Sequence, residues 1–84
     1  MTQEELEDRI ANALCDFMDD PSAYEEGCQL GIHRHTLAVE LGTPQALGKD
    51  YETYPLDTFI VPNEDSDLDL DMTEVRYVAS RFAS

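Results

Sequence analysis

The stretch Cys28-Gln29-Leu30-Gly31-Ile32-His33-Arg34-His35-Thr36-Leu37-Ala38-Val39-Glu40-Leu41-Gly42 decides the fold class. Leu30 and Ile32 alternate with Gln29 and Gly31, and Leu37, Val39 and Leu41 alternate with Ala38 and Glu40. Successive side chains of a strand point to opposite faces, so a period of two marks a half-buried strand. Two such runs around His33-Arg34-His35-Thr36 predict an antiparallel β-hairpin with its turn over those residues. One continuous strand through 33–36 is the alternative. Either arrangement leaves one apolar sheet face for a helix to cover.

That helix is predicted from Thr2 to Asp20. Leu6, Ile10, Ala13, Leu14 and Phe17 recur at helical spacing and form one stripe. Thr2 with Glu5 is a capping box, and Glu4, Glu5, Glu7 and Asp8 crowd the turns where the helix dipole favours anions. Pro21 ends the run, since proline cannot continue the hydrogen-bond ladder. Cys15 falls opposite the apolar stripe and is expected to face solvent. Residues 22–27 connect this helix to the hairpin.

Beyond the hairpin, Gly42-Thr43-Pro44 breaks the second strand, and residues 45–50 form a loop or one helical turn. Tyr51-Glu52-Thr53-Tyr54 has strand composition, and Pro55 after it argues for an edge position. Residues 55–60 either continue that strand or form a short helix with Pro55 first, and Pro62 ends the segment. Residues 63–71 read as an acidic loop. A last helix spans Met72 to Phe82, with Asp71 and Glu74 as its capping box and Val75, Val78, Ala79 and Phe82 as its apolar stripe. The order α-β-β-β-α implies a single α+β domain over 1–84, two helices packed on one face of a short antiparallel sheet. Its expected core is the two helix stripes with Leu30, Ile32, Leu37, Val39 and Leu41.

Charge bounds the function. The chain of 84 residues has 19 acidic and 5 basic side chains, a net charge of −14. So few cations cannot neutralise a run of phosphates, which argues against direct nucleic-acid binding and against an anionic membrane surface. The charge is uneven: residues 1–26 carry −8 and residues 50–74 carry −9, while 27–49 are near neutral. The first residues are acidic where an export signal would be basic and then apolar, and no apolar run reaches membrane-spanning length. A cytoplasmic setting with Cys15 and Cys28 as free thiols is therefore expected.

Few motifs carry chemistry. Asn63, Asp65, Asp67, Asp69 and Glu74 fall at positions one, three, five, seven and twelve of a twelve-residue segment that resembles an EF-hand calcium loop. The resemblance covers only 63–74 and implies, at most, a weak calcium-binding module. Leu68 stands where such a loop needs glycine for its sharp turn, and no helix precedes it, so no binding at micromolar calcium is expected. His33 and His35 with Cys28 offer at most three zinc ligands where a structural site needs four, and they read as a polar turn. No glycine-rich phosphate loop or nucleophile elbow occurs, and no carboxylate pair is distinguished from the rest. Catalysis and a cofactor are not expected.

What remains is surface. The expected function is a small acidic protein-interaction module whose partner carries a basic surface, with Glu4, Glu7, Asp8, Asp65, Asp67 and Asp69 as interface candidates. Tyr51 and Tyr54 join them, since tyrosine is enriched in interface hot spots and an edge strand is open to pairing. A sharper version is a DNA mimic of phage or mobile-element type, its carboxylates imitating a phosphate row to occupy a nucleic-acid-binding protein. The sequence leaves the oligomeric state open between a monomer and a weak homodimer.

Overall fold

The computed structural model describes residues 2–65 and 67–83. Ser66 and Ser84, neither of them in a nucleophile elbow, lie outside those residues. The first helix, α1, spans Gln3–Asp19. Thr2 Oγ1 accepts the Glu5 N–H at 3.1 Å, which satisfies one of the amides a helix start leaves unpaired. Leu6, Ile10 and Leu14 are wholly buried, and Pro21 opens a 3₁₀ turn, Pro21–Ala23.

The expected hairpin is present. Strands β1 (Gln29–His33) and β2 (Val39–Gly42) pair antiparallel with Leu30 opposite Leu41 and Ile32 opposite Val39. The connection is wider than the predicted turn and leaves Leu37 outside the strand. The His33 N–H donates to Ala38 O at 2.9 Å and the Leu37 N–H to His33 O at 3.0 Å. Closing the chain this way puts Leu37 in the left-handed region at φ 61°. Its side chain still packs half-buried against the core.

A one-turn helix, α2 (Pro44–Leu47), follows, capped by Thr43, whose Oγ1 accepts the Ala46 N–H at 3.2 Å. Strand β3 (Tyr51–Pro55) then pairs with β1, so the sheet order is β2-β1-β3 and β3 is an edge as expected. The ambiguous segment resolves as a 3₁₀ turn, Leu56–Thr58, with Pro55 just before it. That turn drops Phe59 into the interior, where it is the largest fully buried side chain.

The acidic loop is a correction. Ile60–Pro62 forms β4 and Leu68–Leu70 forms β5, paired as a second hairpin with Ile60 opposite Leu70 and Pro62 opposite Leu68. Asn63 closes it: Oδ1 accepts the N–H of Asp65 at 2.9 Å and of Asp67 at 3.1 Å, and the Asn63 N–H donates to Asp67 O at 2.8 Å. An asparagine side chain that mimics a backbone turn stabilises such a bend.

The last helix, α3 (Met72–Phe82), starts at Asp71, whose Oδ1 accepts from the Thr73 and Glu74 amides at 3.1 and 3.4 Å. Helix α1 packs against α3, β2 and β5, and Leu6, Ile10, Leu14, Leu30, Ile32, Phe59, Val75, Val78 and Ala79 make one buried core. Of the other residues expected there, Phe17, Leu37, Val39, Leu41 and Phe82 are half-buried. The far face of the sheet is covered too. Leu47 of α2 lies directly on Gly31, which is buried on the side of β1 opposite Leu30 and Ile32.

Candidate functional site

The candidates at the start of α1 divide. Glu4 and Asp8 are exposed, whereas the Glu7 side chain is only 19% exposed and lies 3.6 Å from Arg76 Nε. Glu7 sits at the margin of the apolar stripe where α1 faces α3, so it is engaged within the fold. The ion pair is weak, about 0–1 kcal/mol, because Arg76 stands mostly in water.

The two tyrosines of β3 point to opposite faces, as the strand period requires. Tyr51 lies on the α2 side, where its hydroxyl donates to Glu40 Oε2 at 2.9 Å and its ring meets the His33 ring edge-on at 5.1 Å. The missing Cβ at Gly31 leaves room for the Tyr51 ring beside the central strand. The hydrogen bond to Glu40, then burial, raises the Tyr51 pKa above its ordinary value. Tyr54 turns inward: its ring meets Phe59 at 6.1 Å and its hydroxyl oxygen is buried without a hydrogen-bond partner. Burial and the Glu52 carboxylate raise its pKa, with Arg81 opposing. As an interface residue Tyr54 is poorly placed. Tyr77 of α3, 60% exposed, is the more open tyrosine.

Asp65, Asp67 and Asp69 are exposed on the β4–β5 hairpin, and half-buried Glu74 lies in the first turn of α3. The five residues of the calcium-like spacing are not brought into one shell. Asn63 Oδ1 already serves the turn, and among the described residues no three His, Cys, Asp or Glu side chains form a group that holds a metal. The histidine turn has a structural use: His33 Nδ1 accepts the N–H of His35 and of Thr36, each at 3.1 Å.

A feature the sequence did not disclose lies at the other end of α1. Phe17, Cys28, Leu56, Ile60, Pro62 and Leu68, with Asp57 among the remaining walls, enclose an open, mainly apolar groove of about 430 Å³. The hairpin register explains it. Ile60 and Leu70 face one another and pack on the core, and the next pair on that face, Pro62 and Leu68, reaches past the core and becomes a wall. Phe17 ends the stripe of α1 in the same way, its ring 5.5 Å from that of Tyr24. Leu68 is left 45% exposed. In the groove wall, burial and the neighbouring Glu25 raise the Cys28 pKa, while Cys15 is exposed on the opposite side of the stripe, as its spacing predicted. The only available signal was the alternation Leu68-Asp69-Leu70-Asp71, a strand pattern inside the acidic run.

Among the described residues no helix is long and apolar enough to cross a membrane. Set against protein-family models, characterised proteins and solved structures, the chain matches none.

Proposed function

We propose that this protein is a non-catalytic acidic docking module that binds the basic surface of a partner protein. One observation carries the reading: the acids are left without internal compensation. Among the described residues Glu7 with Arg76 is the one ion pair, against 19 acids in the chain, and the net charge of −14 is well beyond the roughly 2–8 ordinary for a small domain. Self-repulsion of that size opposes folding, and a cationic partner relieves it. The DNA-mimic version asks for more. Along the 38 Å long axis a duplex would present about 22 phosphates, and the chain has 19 acids over its whole surface.

The test is capture from native cell extract at low salt, followed by association kinetics with the captured protein. A basic partner is expected, with affinity falling steeply as salt rises. Reversing three exposed, unpaired acids (Glu4→Lys, Asp8→Lys, Asp67→Lys) should slow association about tenfold or more. A partner indifferent to both salt and reversal contradicts the reading.

A further inference from the structure

We propose that the groove between the end of α1 and the β4–β5 hairpin receives a basic segment of the partner protein. Large apolar side chains from one face of that segment enter it, and flanking lysines or arginines meet the acidic residues around it. This rests on the acidic-docking reading and gives it a location and a mode.

Two independent features converge there. The floor and walls are apolar, and Leu68 stands 45% exposed as a wall that an occupant would cover. Every charged residue within two chain positions of the lining is acidic. Asp57 lines the groove, Glu25 and Glu26 lead into Gly27 and Cys28, and Asp67 precedes Leu68 at the hairpin end; all are exposed, while Asp69, paired with Val61, points to the other face of the hairpin. No Lys or Arg stands within two chain positions of any lining residue, the five bases lying at 9, 34, 49, 76 and 81. Such a site discriminates by charge. A second copy of this chain would bring −14 against −14, and an acidic or neutral segment would gain nothing from the rim. A segment with a large aliphatic or aromatic anchor among cations satisfies both features, as in helix-in-groove recognition. The volume, about 430 Å³, is at the small end of the range of concave binding sites, which suits a few anchor side chains rather than a whole domain surface.

The probe is a fluorescent peptide of about 18 residues with Leu at helical i, i+3, i+4 spacing among Lys. Its controls are the same peptide with each Leu replaced by Ser, and an uncharged Leu/Ser peptide. The Leu/Lys peptide should bind at least about tenfold more tightly than the Ser/Lys peptide, and Leu68→Ser should remove most of that preference while leaving Ser/Lys binding unchanged. Binding should also slow Cys28 alkylation, read by peptide mass spectrometry, and leave Cys15 unaffected; this arm uses the unaltered protein. Equal binding of the two cationic peptides, or Cys28 left unprotected, overturns the groove assignment while the acidic-docking reading stands. An uncharged Leu/Ser peptide that binds as tightly as Leu/Lys overturns the basic-segment assignment. No binding of either cationic peptide at low salt overturns both.

Discussion

Gly31→Ala tests the two-sided packing of the central strand. An added Cβ would lie 2.5 Å from Leu47 Cδ1 and 3.2 Å from Tyr51 Cδ1. The first distance is impossible without movement, so Leu47 must rotate away, and the Tyr51 ring must yield a few tenths of an ångström. Overpacking of this kind costs about 1–3 kcal/mol. Replacing glycine in a strand returns roughly 0.5–1 kcal/mol through the unfolded chain. The net expectation is a loss of up to about 2.5 kcal/mol, or a fall in melting temperature of up to roughly 20 °C for a domain of this size. Urea unfolding followed by circular dichroism reads it, with an unchanged slope showing that only stability moved. Leu47→Ala alone should also destabilise, because it uncovers the face of β1. In the double variant the new methyl occupies space Leu47 vacated, so the two losses should fall short of additive by about 1 kcal/mol. Strictly additive losses would refute the contact between α2 and the sheet.

Three further outcomes follow from the same geometry. Tyr54→Phe removes a buried hydroxyl without a partner and should be neutral or stabilising by up to about 1 kcal/mol. Because folding raises the Tyr54 pKa, its contribution is complete below the ordinary tyrosine value of about 10 and is lost as pH rises through the folded value; Tyr54→Phe should therefore flatten part of the alkaline fall in stability, and an unaltered fall would count against the inward placement. Cys15 should be alkylated faster than Cys28 in the native protein at neutral pH, since Cys28 is half-buried with a raised pKa; the reverse order would contradict the orientation of α1. Asp71→Ala deletes the cap of α3 and should cost about 1 kcal/mol in urea unfolding, with Asp71→Asn retaining most of it.

The helices and the first hairpin were legible because each is written twice, once as a period and once as a boundary. Thr2 and Asp71 cap the same segments whose stripes fill the core, and Leu30 and Ile32 alternate within a bounded run. Phe59 was not legible, since a lone aromatic between Pro55 and Pro62 has no period, and only the 3₁₀ turn directs it inward. The second hairpin was hidden because the apolar residues of β5 are two leucines among aspartates, which also match an ion-binding spacing. Tyr51 and Tyr54 had to lie on opposite faces, but which face met the core depends on the register with β1. The groove was beyond reach for a different reason: its walls come from α1, the start of β1, the 3₁₀ turn and the β4–β5 hairpin, and only tertiary contacts bring those four together.

The most direct measurement is an amide chemical-shift map of the ¹⁵N-labelled protein titrated with the Leu/Lys peptide. The first and largest shifts should fall on Phe17, Gly27 to Gln29, Leu56, Ile60 and Leu68, and should diminish as salt is raised. Shifts confined to the start of α1 or to the 51–54 edge, or spread evenly over every acidic segment, would contradict the account.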